Sequence, residues 1–122
     1  MATIKSFLVV AIFIPACAAL PEPGVRTPRL QGVVQAARAD AAQRSGSAPG
    51  DLTLILAEPV TWADSSLGCP RPGLLYTQSL VPGYRVQLRL RNEVLDYHAS
   101  ERGGLVLCPP GLSKKPAPDS RI

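Results

Sequence analysis

Three cysteines and one histidine are the side chains with the most evident nucleophilic or ligating chemistry in this chain. Cys69 could attack a substrate only if a base took its proton, since a free thiol is mostly un-ionised near neutral pH. The one base of that type is His98, which could be drawn into a triad or a metal site with Asp96 and Asp64. Zinc asks for three or four ligands, and a single histidine among scattered carboxylates does not supply them. No metal and no cofactor are therefore expected. His98 reads instead as an exposed or hydrogen-bonded strand residue that shares a face with Asp96. The more economical chemistry for Cys69 is oxidation, with Cys108 as its partner across 38 intervening residues. On a chain-entropy argument such a bridge is worth about 4 kcal/mol to a small domain.

The remaining cysteine, Cys17, follows an apolar N-terminal run. Lys5, the run Phe7 to Ile14 and the small residues after it make residues 1–19 an export signal. Pro15 interrupts the run well short of the about 20 apolar residues that a membrane-spanning helix needs. Ile14-Pro15-Ala16-Cys17 has the spacing of a lipobox, in which Cys17 would carry lipid at the start of the mature chain. Ala16-Cys17-Ala18 equally suits ordinary signal cleavage, and an uncleaved anchor is the third alternative. Cysteine pairing favours the lipoprotein, because acylating Cys17 leaves Cys69 and Cys108 to each other in an oxidising compartment. The expected location is the extracytoplasmic side of a cell envelope, tethered to the membrane.

The residues that must position this chemistry form one small domain. Residues 20–29 are a Pro-rich tether, 30–110 the ordered domain and 111–122 a disordered tail. Apolar residues at 30, 33, 34, 37 and 41 have helical spacing, and the Ser45 to Gly50 stretch of turn formers ends the helix. Asp51 to Trp62 reads as a first strand, with Pro59 placing its later half at an edge or bulge. Tyr84 to Arg91 alternates apolar and polar residues, Asn92-Glu93 turns into Val94 to Ala99, and Arg102-Gly103-Gly104 turns into Leu105 to Cys108. The fold class is α+β: one N-terminal helix packed on a small antiparallel sheet of about four strands, stapled by a disulfide.

The formal charge of +4 comes mainly from ten arginines. Arg85, Arg89 and Arg91 alternate along one strand, as on the solvated face of a half-buried sheet, and export argues against nucleic acid as a partner. A basic exported surface could meet anionic lipid or wall polymer. Trp62, Tyr76, Tyr84 and Tyr97 either build the core or gather as a recognition surface near one loop, where Asp64 and Arg71 would join Trp62 and Tyr76 as contacts.

Two motifs carry resemblances. Ser66-Leu67-Gly68-Cys69-Pro70-Arg71 looks like the S-x-G-C-x-R motif of L,D-transpeptidases, which implies a cysteine-dependent cell-wall enzyme. That family places its histidine upstream of the cysteine, whereas His98 lies downstream, and Pro70 stands where an aliphatic residue is usual. The longer pattern Trp62-x-Asp64-x-Ser66-Leu67-Gly68-Cys69-Pro70-x-Pro72-Gly73-x-x-Tyr76-Thr77-Gln78, followed by Gly83-Tyr84-Arg85, Tyr97-His98 and Cys108, resembles a group of small uncharacterised bacterial envelope proteins. Ala63 and Arg71 depart from the proline and the glutamine or glutamate found there. This resemblance implies a shared domain and no activity. The layout of a helix over Ala36 to Arg44 before a strand over Leu52 to Val60 is also similar to PepSY-type modules, as a fold analogy.

Together these readings lead to an exported, non-enzymatic binding or inhibitory module that acts on an envelope protein through its 62–78 loop. The alternatives are a transpeptidase-like enzyme using Cys69 and a purely structural envelope lipoprotein.

Overall fold

Helix α1, Pro28–Ser45, begins where Thr27 can cap it: the Thr27 hydroxyl accepts the Leu30 N–H at 3.2 Å, and Pro28 fills the first turn, where no N–H is needed. Gly46 closes it at φ 68, a left-handed conformation that glycine adopts without a Cβ penalty. The computed structural model that places these elements describes residues 10–12 and 27–118. The rest of the export signal, Cys17, most of the tether and the end of the tail, 119–122, lie outside the described residues.

After a 3-10 turn at Pro49–Asp51 come four strands, β1 Thr53–Trp62, β2 Val81–Leu90, β3 Glu93–Ser100 and β4 Leu105–Cys108. They form an antiparallel meander in the order β1-β2-β3-β4. Pro59 thus sits on an edge strand as expected, while the bulge lies earlier, between Leu54 and Leu56. The β2–β3 turn is Arg91-Asn92, one residue earlier than the sequence suggested, with Arg91 in the left-handed region at φ 56.

One face of the sheet packs on α1. Leu30, Val34, Ala37 and Ala41 of the helix meet Leu52, Tyr84, Val86, Leu88, Tyr97 and Ala99 in one buried cluster. The 3.6-residue spacing of the helix and the two-residue spacing of β2 each present one apolar side, and these two sides meet. Tyr97 also reaches the helix with its hydroxyl, which donates to Asp40 Oδ2 at 2.7 Å. Burial, then that carboxylate, pushes the Tyr97 phenol above its usual range.

The opposite face is only partly left to water, at Arg89 and Val94. The 63–80 loop and the segment after β4 cover most of it, so that Tyr97 and His98, on opposite faces of β3, are both buried. This corrects the expected disordered tail: Lys114 N–H donates to the Gly68 carbonyl at 2.7 Å and Ala117 N–H to the Thr61 carbonyl at 2.9 Å, fixing this part of the tail along β1 and the loop. Backbone pairing of this kind holds coil in place without any periodic pattern in its side chains.

Candidate functional site

The covering layer is built around Trp62, the last residue of β1. Its indole is fully buried, stacks on His98 with ring centroids 4.4 Å apart, and donates from Nε1 to the Ala99 carbonyl at 3.0 Å. Two glycines make room for the ring. A Cβ on Gly68 would come within 2.5 Å of the indole, and one on Gly83 within 2.0 Å of the Ala99 carbonyl oxygen. Gly68 also needs its φ of 68, next to Leu67 at φ 55, to turn the chain under Trp62. Trp62, expected at the binding surface, is therefore part of the interior and presents nothing to a partner.

His98 lies beneath it, 0% exposed. Nδ1 faces the Leu67 carbonyl at 2.5 Å, and Nε2 lies 3.0 Å from Asp96 Oδ2. Ser113, from the covering segment, donates its hydroxyl to the same Asp96 oxygen at 2.6 Å and sits 3.3 Å from the same Nε2. Arg85 grips Asp96 in two-pronged fashion, Nε to Oδ1 at 3.1 Å and Nη2 to Oδ2 at 3.2 Å. Burial would raise the Asp96 pKa, but the bonds from His98, Arg85 and Ser113 outweigh it and hold the carboxyl well below the usual carboxylate range.

Serine, histidine and aspartate thus meet, yet not as a triad. In a triad the carboxylate holds one ring nitrogen while the other takes the nucleophile's proton. Here Asp96 and Ser113 converge on Nε2, Nδ1 is occupied by a backbone carbonyl, and the serine proton is directed to the carboxylate. Cys69 is bonded to Cys108, with Cα atoms 5.7 Å apart, so it offers no thiol in this state. Among the described residues no group of three or more His, Cys, Asp or Glu side chains is arranged to hold a metal ion. No buried side-chain nitrogen or oxygen among them lacks a partner. This cluster is an internal strut between sheet and loop.

What the strut holds is the loop, and there the outward chemistry lies. Asp64, another expected contact, turns inward on Ser66, whose N–H donates to Oδ1 at 2.8 Å and whose hydroxyl donates to the same oxygen. The Ser66 hydroxyl, then its N–H, lowers the Asp64 pKa against the opposing effect of burial. Ser65 and Thr77 tie the two limbs together, Ser65 N–H to the Thr77 carbonyl at 3.0 Å and Thr77 N–H to Ser65 Oγ at 2.9 Å. At the tip, Arg71-Pro72-Gly73-Leu74 is a tight turn in which Leu74 N–H donates to the Arg71 carbonyl at 3.3 Å. Proline in the second place and glycine at φ 80 in the third are what a type II turn requires. Tyr76 closes the turn, its hydroxyl accepting the Arg71 N–H at 2.9 Å.

Of the four contacts expected from sequence, only the Arg71 side chain is free on the surface. Tyr76 is half-buried, and its hydroxyl is used within the turn. The residues sequence reasoning passed over are Leu74, Leu75 and Leu80, which are 57%, 100% and 65% exposed. A pair of leucines directly after a Pro-Gly turn, outside any alternating run, was the available signal.

Searches against curated proteins and against solved structures return no match. A family model described as "Domain of unknown function (DUF8738)" matches residues 34–108, from within α1 through the loop to the second cysteine of the bridge. That match spans more than half of the 122 residues, and the chain belongs to this family of unknown function.

Proposed function

We propose that this protein is an exported, non-enzymatic binding module, tethered by lipid at Cys17, that meets an envelope component through the tip of the 63–80 loop. The observation that carries the reading is a fully exposed Leu75 on a loop that is fixed at its base by a disulfide and at its tip by a closed turn. A mobile loop can fold apolar side chains back on itself, but this one holds Leu74 and Leu75 in water. Such pre-organisation lowers the entropic cost of association. The disulfide favours an oxidising compartment, and the closed geometry around His98 favours binding over catalysis.

One preparation tests the whole proposal. A photoreactive residue is placed at position 75, or at the exposed turn residue Asn92 as control, and the chain is irradiated in the producing cells. Its intact mass is then read from the membrane fraction, with and without reduction before alkylation. The expected result is a chain that starts at an acylated Cys17, two further thiols that appear only after reduction, and an adduct at position 75 exceeding that at position 92. A free Cys69 thiol would bring the cysteine-enzyme reading forward. Equal labelling at 75 and 92 would overturn the binding role and leave a structural lipoprotein.

A further inference from the structure

The loop tip carries a charge pattern that names the chemistry of its partner. Between Ser65 and Gly83 the sole charged side chain is Arg71, and between Pro109 and Pro118 the charged side chains are Lys114 and Lys115. These two segments form the covering layer, joined by the hydrogen bond from Lys114 N–H to the Gly68 carbonyl. All three cations are exposed, and the layer contributes no carboxylate of its own beyond Asp64, which Ser66 occupies. The face therefore combines exposed leucines with three exposed cations against one half-buried carboxylate, that of Asp64, which lies within electrostatic reach of Lys114.

We infer that the Leu74-Leu75 tip docks on an anionic lipid bilayer, its leucines entering the boundary between headgroups and acyl chains while Arg71, Lys114 and Lys115 meet acidic headgroups. The inference rests on the binding role proposed for this loop and assigns its ligand. Interfacial binding draws on buried apolar area together with attraction to anionic lipid, and neither alone gives stable attachment. The hydroxyl of Tyr76 and the carboxylate of Asp64 are spent within the loop, which leaves the leucines and the cations as the main outward chemistry of this face, beside the exposed Thr77, Gln78 and Ser79. A lipid on Cys17 would keep the domain within reach: the roughly ten-residue connection to Thr27 spans at most about 35 Å when fully extended. Tethering makes a weak second contact effective.

The test uses the full chain with Leu75→Trp, added to vesicles of phosphatidylglycerol and phosphatidylcholine in equal parts that carry brominated acyl chains. Bromine quenches only an indole that enters the bilayer, so the reading is local whatever the N-terminal run does. The expected result is strong quenching at position 75, none of the buried Trp62 in the parent, and none for Asn92→Trp at the other end of the sheet. Replacing Arg71, Lys114 and Lys115 with Gln should weaken the partition by about fivefold per charge. Absence of quenching in anionic vesicles, or equal quenching in phosphatidylcholine alone, overturns the inference. An adduct at position 75 to an envelope protein without quenching would overturn the lipid assignment and leave the binding role of the loop standing.

Discussion

Asp96 is the residue on which the interior of the covering layer turns, because it joins Arg85 of β2, His98 of its own strand and Ser113 of the terminal segment. Its pKa is lowered in the folded chain, so its contribution to stability is fully present above the unfolded carboxylate value and is lost as the pH falls. Asp40, where hydrogen bonds from Tyr97 and Arg44 outweigh burial, and Asp64 shift in the same direction. Stability against urea should therefore decline as the pH drops through about 4. In Asp96→Asn the neutral-pH stability should fall by about 2–3 kcal/mol, and the acid decline should become shallower. Urea midpoints measured across pH for both proteins check this, and parallel curves would show that Asp96 is not held as described. His98 itself reads in the sequence as an exposed or hydrogen-bonded strand residue, and of the two it is the hydrogen-bonded one. Its complete burial was not legible, because the residues that cover it come from two coil segments with no sequence period of their own.

At the scale of elements, the helix and the four strands were legible wherever one face meets α1. The buried positions 30, 34, 37 and 41 repeat at helical spacing, and 84, 86 and 88 at strand spacing. The same reasoning assigned the other side of β2 to solvent, which holds for Arg89 and fails for Arg85. Arg85 looked like a solvated charge and is instead a partner of Asp96, with 21% of its side chain exposed. An arginine that serves an ion pair under a loop has the same place in the alternation as one in water. The loop was read correctly as stapled, but of the two alternatives left open for its aromatic residues, core or recognition surface, the expected contact at Trp62 fails, because its large apolar ring is what the layer needs inside. The bridge joins residues 39 apart, and replacing Cys69 and Cys108 together with Ser should cost about 4 kcal/mol. A guanidinium unfolding curve that moved by much less would mean that Trp62, His98 and the terminal segment hold the layer without the bridge.

The whole molecule is a helix, a sheet and a coil cover, three layers in a chain where a single core would be marginal. The two interfaces differ in kind. The helix side is apolar and continuous, while the cover is secured by a stacked ring pair, an ion-pair cluster and backbone hydrogen bonds. Both interfaces are closed by contacts distant along the chain. The β2–β3 hairpin closes over two turn residues, whereas Trp62 meets Ala99 across 37 positions, His98 meets Leu67 across 31 and, on the helix side, Tyr97 meets Asp40 across 57. Long closures lose more chain entropy before any contact rewards them. The β2–β3 hairpin is thus expected to form first, with the cover closing on it later. In a chevron analysis of the oxidised chain, Val86→Ala should chiefly slow folding, and Trp62→Phe should chiefly speed unfolding. The reverse pattern would make the cover the nucleus. If that order holds, the face proposed to bind is among the last parts of the protein to exist and the first to be lost.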